Sequence, residues 1–217
     1  MGFGAAAQAF DDPFRLMRIS LFPLSGAVLF PGLSLPLHIF EPRYRAMVSD
    51  ALARDRRIGM IQPQTPEDGA PLYAVGCLGH ISDVEALPDG RFNIVLAGEA
   101  RFRITRELEV ATLFRQAEAE LLTEADAQAI SAVERAMFER EARAFADAQG
   151  YAVDWEQVTR LDDQSLINGV AQIAPFDAAS KQALLEADGL ADRCELLVQL
   201  MQFYGRRDGD DGAATLQ

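Results

Sequence analysis

Lysine is almost missing from this chain. Of its 20 basic residues 19 are arginine, and Lys181 is the sole lysine. A Gly-x-x-x-x-Gly-Lys-Ser/Thr loop that cradles phosphate needs a lysine behind glycines, whereas Lys181 follows Ala178-Ala179-Ser180. That excludes a P-loop nucleotide site. A Ser–Lys peptidase dyad needs a desolvated lysine facing its nucleophile. Ser180 and Lys181 are chain neighbours early in an expected helix, where positions i and i+1 point to different sides, so Lys181 is read as a surface charge.

Histidine and cysteine are scarce as well, with two of each. Catalysis by Ser or Cys with an imidazole has only His38 and His80 to draw on. No Gly-x-Ser-x-Gly string forms a nucleophile elbow, and Ser25 lacks the flanking glycines that one requires. Cys77-Leu78-Gly79-His80 has the spacing of one zinc-ligand pair, but a second short-spaced pair is missing, so no metal is expected. Cys77 and Cys194 read instead as small buried hydrophobes of a reduced, cytoplasmic protein. Asp11-Asp12-Pro13 interrupts the apolar run at the front, and no window approaches ~18 uninterrupted apolar residues, so neither a signal peptide nor a membrane span is expected. No cofactor is implied.

What is abundant is acid. The formal net charge is −13. Residues 1–120 hold 12 Arg against 15 acids, and residues 121–217 hold 8 basic groups against 18. Such a field repels phosphate chains, and no cationic cluster is present to release counterions, which argues against nucleic acid as a partner. The paired acids Asp11-Asp12, Asp162-Asp163 and Asp210-Asp211 read as solvated caps or tails. At 217 residues with 49% hydrophobic content, the chain is long enough to bury a full core without staples.

The periodicity changes once. From Arg18 to about Glu120 the text is strand-like and punctuated by Pro and Gly; from Thr123 to Tyr204 it is helical. Phe92, Ile94 and Leu96 alternate along Arg91–Leu96, and the turn Pro88-Asp89-Gly90 joins them to Gly79–Ala86 as a hairpin. A second pair is expected from Arg101–Thr105, where apolar and charged residues alternate, and Leu113–Leu122. Ile19–Phe22 and Ser34–Phe40 read as further strands, with prolines placing them at edges or strand starts. One helix, about Pro42 to Arg54, has Pro42 in its first turn and Glu41 beside it.

In the back half, Ile130, Val133, Met137, Phe138, Ala142 and Phe145 make one helical stripe closed by Gly150. A helix from about Asp163 to Ala171 stops before Pro175. Asp177 caps the next, which ends near Asp188-Gly189, and Leu190, Cys194, Leu197, Val198, Met201 and Tyr204 stripe the last. Four helices with one greasy side each imply a small bundle. The expected organisation is a lead-in at 1–16, a β-rich unit at 17–122, a helical bundle at 123–205 and a disordered tail at 206–217.

One run of residues is more specific than this patterning. Phe22-Pro23-Leu24-Ser25-Gly26-Ala27-Val28-Leu29-Phe30-Pro31-Gly32 leads through Leu35-Pro36-Leu37-His38-Ile39-Phe40 to Glu41-Pro42-Arg43-Tyr44-Arg45. It resembles the opening of the N-terminal, substrate-binding domain of Lon proteases. Gly76–Ile81, Asp89–Gly98 and Glu99–Ile104 continue the likeness in order, over about 85 residues, and Lys181–Glu186 with Arg193 and Leu196-Leu197 is similar to the family's closing helices.

The resemblance implies an α+β fold, a PUA-like pseudo-barrel with one short helix followed by a helical bundle. It implies recognition of unfolded or extended polypeptide segments, and not proteolysis, since the motor and peptidase of a full Lon are not expected here. An adaptor or holdase role beside a protease or chaperone follows, with homodimer formation left open. His38, Phe40, Arg43 and Tyr44 are the candidate peptide-binding residues. The structural duty of these residues is the favoured reading: Glu41 and Arg43 pair at the helix entry, and Tyr44 packs on the barrel. Two alternatives stand beside recognition: a small hydrolase drawing on His38 and His80, and an RNA-binding PUA-like domain. The first lacks a catalytic string, and charge argues against the second.

Overall fold

The computed structural model describes residues 16–122 and 130–211 of the chain. Residues 1–15 of the expected lead-in and 212–217 of the expected tail lie outside those residues. Among the described residues the first part holds strands β1 (Met17–Pro23) and β2 (Ser34–Ile39), helix α1 (Pro42–Leu52), and strands β3 (Arg57–Ile61), β4 (Val75–Ala86), β5 (Phe92–Leu108) and β6 (Gln116–Leu122). Helices α2 (Ala132–Ala148), α3 (Trp155–Val158), α4 (Asp163–Ile173), α5 (Ala178–Glu186) and α6 (Leu190–Asp211) follow. The fold is therefore α+β, strands first and helices after.

One strand organises the sheet. The first half of β5, Phe92 to Ala97, pairs antiparallel with β2, and its second half, Arg101 to Leu108, pairs antiparallel with β6. β4 accompanies both halves, β3 lies beside β4, β1 runs parallel to β3, and β6 pairs with both β1 and β5. Five strands thus close a ring, and β2 hangs outside it. Register shifts at Leu78/Gly79, Ile81/Asp83 and Ile104/Arg106 give the bends that such closure needs. The alternation in the sequence suggests two strands where there is one of 17 residues. The pattern lapses at Ala97-Gly98-Glu99-Ala100 because β5 changes partners there. Gly98 also lies so close to the chain that a Cβ would stand 2.2 Å from the Phe30 carbonyl oxygen.

Inside the ring Ile19, Leu21, Ile61, Leu78, Phe102, Ala117 and Ala119 form a small closed core. Phe102 fills its middle, and Gly59 and Gly76 make room for the ring. A Cβ on Gly76 would meet Phe102 Cζ at 2.5 Å. β3 was not foreseen from the sequence, because Ile58, Gly59, Met60 and Ile61 are all buried and a strand covered on both faces shows no alternation.

A larger core lies outside the ring, between α1, the β2–β4–β5 face and the helices, and includes Phe30, Met47, Val48, Ile94, Leu96, Phe138, Leu166, Leu184 and Leu197. The helices begin where polar side chains satisfy their free N–H groups. Ser131 and Glu134 form a capping box on α2, and Asp162 and Asp177 accept from Ser165 N (2.8 Å) and Ser180 N (2.7 Å). Gly150 ends α2 with φ +71°. The α2 stripe is narrower than its spacing suggests. Phe138, Ala142 and Phe145 are buried, while Val133 and Met137 face solvent. The single turn α3 was also not foreseen.

Arginine and amide side chains join the two parts. Arg101, read as the solvent side of an alternating strand, is buried; its Nη1 donates to the carbonyls of Leu185 (2.9 Å) and Ala187 (2.5 Å), and Nη2 to that of Asp188 (3.1 Å). These are the unsatisfied carbonyls at the end of α5, where a cation is favoured by the helix dipole. Gln62 of the barrel donates to Ala178 O and Gln182 Oε1, and Gln182 donates back to Val75 O. Lys181 is likewise no free surface charge. It is half-buried, its Nζ donates to Gln172 O near the end of α4 (3.0 Å), and burial lowers its pKa.

Candidate functional site

The four residues singled out in the sequence share one cleft of about 500 Å³. Its walls are the ends of β1 and β2, the start of α1, and the loops carrying Pro63–Ala70 and Leu113–Arg115. Local chemistry explains each placement. Pro42 occupies the first turn of α1, with Glu41 at the N-cap in extended conformation, so the chain turns sharply from β2 into the helix. That turn leaves Phe40 projecting, 60% exposed, at the mouth of the cleft. Leu113, on the loop between β5 and β6, also lines the cleft and is 70% exposed.

Tyr44 lies in the floor. Its ring packs edge-on against Phe22 with centroids 4.5 Å apart, and burial raises its phenol pKa. The Arg43 guanidinium stands 4.7 Å from the centroid of that ring and pairs with Glu41 (3.0 Å) and with Asp68 of the loop opposite. The hydrogen bond to Asp68 raises the Arg43 pKa and lowers that of Asp68. Arg115 is held by Glu107 through two hydrogen bonds of 2.9 and 2.6 Å, and it donates to Ala70 O (2.7 Å), which ties the Pro63–Ala70 loop to the barrel. The rim charges named here are thus paired with one another, over an apolar floor of Phe22, Leu24, Leu37, Ile39 and Phe114. Such a surface asks for apolar contact and makes few demands on charge.

His38 also borders the cleft, but its ring is committed to the sheet. Nδ1 lies 2.7 Å from Asn93 Oδ1, an atom that can only accept, so Nδ1 is the donor and Nε2 accepts from Arg91 (3.3 Å). Asn93 in turn donates to Glu85. His80 is elsewhere. It pairs in register with Ala97, four residues along β5 from the Asn93 that faces His38, roughly 13 Å away at strand spacing. The two imidazoles do not converge. Both cysteines are buried thiols. Among the described residues no group of three His, Cys, Asp or Glu could hold a metal ion, and no helix is long and apolar enough to cross a membrane.

The family model described as the ATP-dependent protease La (LON) substrate-binding domain matches residues 18–202, nearly the whole described structure. The chain belongs to this Lon substrate-binding domain family. Among curated relatives, Lon protease 2 of Herpetosiphon aurantiacus is 26% identical over 201 residues, which cover 83% of this chain and 23% of that protein. The Lon protease of Escherichia coli is 27% identical over 206 residues, covering 88% and 26%. The chain spans about a quarter of the length of these curated relatives. Among solved structures, a Lon N-terminal domain protein from Xanthomonas campestris superposes with a TM-score of 0.65 at 22% identity, covering 84% of this chain and 98% of that one. The N-terminal domain of the Mycobacterium avium complex Lon protease gives 0.64 at 20%, covering 86% and 98%. These likenesses confirm the Lon-domain fold of a barrel followed by helices.

Sequence reasoning missed Leu113 and Phe114 as cleft residues. The available signal was an apolar pair in the short loop just ahead of Gln116, where polar turn residues are usual. It also missed the Pro63–Ala70 loop, whose Pro-Glu-Asp-Gly composition marks a turn without revealing what the turn faces.

Proposed function

We propose that this Lon substrate-binding domain is a non-catalytic recognition module that holds extended, apolar polypeptide segments in the cleft between β1, β2 and α1, with His38, Phe40, Arg43 and Tyr44 among its contact residues. The observation that carries the reading is the pair of exposed apolar side chains, Phe40 from the end of β2 and Leu113 from the loop before β6, that line one apolar-floored cleft. Exposed aromatic and aliphatic anchors around a desolvated centre are the usual source of peptide-binding energy. Strand addition on β2 is the weaker mode, because Pro36 lies mid-strand and interrupts the run of amide donors there.

The family description as a substrate-binding domain supports the same reading. In it the chain acts as an adaptor or holdase in the cytoplasm, delivering unfolded segments to a protease or chaperone. The test is titration of a labelled, permanently unfolded model protein. Saturable binding is expected, and Phe40→Glu with Leu113→Glu should weaken it about tenfold or more without changing thermal stability. Unchanged affinity in that double variant would overturn the assignment of the cleft.

A further inference from the structure

A second concavity lies in the helical part, between α2, α3, α4 and α6, on residues to which the reading of the first cleft gives no role. Its volume is about 560 Å³ and its lining is almost wholly apolar, with Glu139 and Ser165 the exceptions. Phe145, Leu166 and Met201 form the buried floor, while Tyr151, Leu161 and Ile173 stand exposed around it. Ile173 is 79% exposed at the last turn of α4. Wide-open apolar side chains around a deep apolar floor are costly to leave wet, and they mark docking surfaces.

Charge says what docks there. Residues 130–205 carry 13 acidic and six basic residues. Most of the cations are occupied. Arg193 is buried, Lys181 is half-buried against Gln172 O, and Arg135 is held by Glu139 (2.9 Å) and Asp163 (2.5 Å). Arg140 pairs with Glu141, and Arg143 stacks 4.4 Å from the centroid of Trp155. Arg160 is exposed beside Leu161, but acids outnumber bases by seven over these residues, so the groove sits in a negative field. A second copy of this chain, at −13, is repelled by that field, and so is an anionic lipid surface.

We propose that this helical groove is a second recognition site, independent of the barrel cleft, and that it takes a short apolar peptide segment flanked by lysine or arginine. The apolar centre fills the floor between Phe145, Leu166 and Met201, and the flanking cations meet the acidic helices. Complementary fields raise the encounter rate and select this class of segment over its acidic counterpart. A polypeptide engaging both sites at once gains affinity through effective concentration.

Trp155 is the only tryptophan in the chain and lines the groove, so its emission reports occupancy directly. The probe is a synthetic peptide of about a dozen residues, apolar at its centre and lysine-flanked, compared with a glutamate-flanked version. The lysine-flanked peptide should shift Trp155 emission saturably, bind at least about tenfold tighter than the other, and weaken as salt rises. Ile173→Glu should abolish the shift with thermal stability unchanged, and Phe40→Glu should leave it intact, which separates this site from the barrel cleft. Equal binding of the two peptides would overturn the proposal. So would a concentration-dependent dimer that Ile173→Glu dissolves, or an emission shift with anionic vesicles and none with the peptide.

Discussion

Arg193 and Asn168 meet in the interior, the Arg193 Nη1 donating to Asn168 Oδ1 across 2.8 Å with both side chains withdrawn from solvent. The contact knots three helices to the barrel. Asn168 on α4 donates to Pro31 O (3.0 Å), Arg193 on α6 donates through Nε to Leu184 O of α5 (2.9 Å), and its guanidinium lies 5.5 Å from the Phe30 ring centroid. Phe30 and Pro31 belong to the Phe22–Gly32 run, so the most recognisable part of the sequence is also where the helices are fastened.

Removing that cation while keeping bulk should be costly. Arg193→Met leaves Asn168 Oδ1 and Leu184 O without this donor, and a buried acceptor stripped of a charged partner costs about 2–4 kcal/mol. Urea unfolding should show that loss, and a cycle with Asn168→Leu should give a coupling above about 1 kcal/mol. Additive effects would mean that the pair does not act as one unit.

The barrel interior has no slack at Phe102. Gly76→Ala sets a methyl 2.5 Å from both the ring Cζ and the Met60 carbonyl oxygen. Overpacking of this kind costs about 1–3 kcal/mol. Phe102→Leu in the same chain should restore part of the stability and not all, because the carbonyl stays. Wild-type stability in Gly76→Ala alone would refute the tight fit.

How much of this was legible beforehand follows from where each signal lives. The hairpin at Pro88-Asp89-Gly90 and the caps at Asp162 and Asp177 are local chemistry, and the sequence shows them. Gly90 has φ +79°, as the turn requires. β3 and the continuity of β5 are set by neighbours distant in sequence. So is the burial of Arg101, which looks solvent-facing until α5 arrives to offer its carbonyls. The cleft was half legible: His38, Phe40, Arg43 and Tyr44 lie within seven residues and carry the family likeness, whereas Leu113 reaches the same cleft only through barrel closure.

Acid should weaken the cap of α5. Asp177 accepts from Ser180 N and from Tyr204 Oη (2.8 Å), and the backbone bond above all holds its pKa below the usual 3.8. A carboxylate with a depressed folded pKa contributes stability that is present above its unfolded value and lost as pH falls through the folded value. Asp177→Asn keeps a good N-cap, so its cost at pH 7 should be a few tenths of a kcal/mol. It should also lose less stability than wild type below about pH 4. Parallel stability curves for the two proteins would refute this role.

The thiols should be silent in the native state. Burial pushes Cys194 up to about 11, and Cys77 is fully buried. Alkylation proceeds through the thiolate, so iodoacetamide at about pH 8 should leave both unmodified until denaturant is added. Rapid modification of either in the folded protein, followed by mass, would contradict the packing.

Ring closure has a consequence for how the chain is made. β1 pairs with β6 through Met17↔Ala119 and its neighbours, so the barrel cannot shut until roughly a hundred further residues have left the ribosome. Through that interval β1 offers an open hydrogen-bonding edge beside apolar Leu21 and Phe22, the kind of surface to which other nascent chains adhere. A domain proposed to hold unfolded polypeptide would thus pass through the very condition it is proposed to attend to.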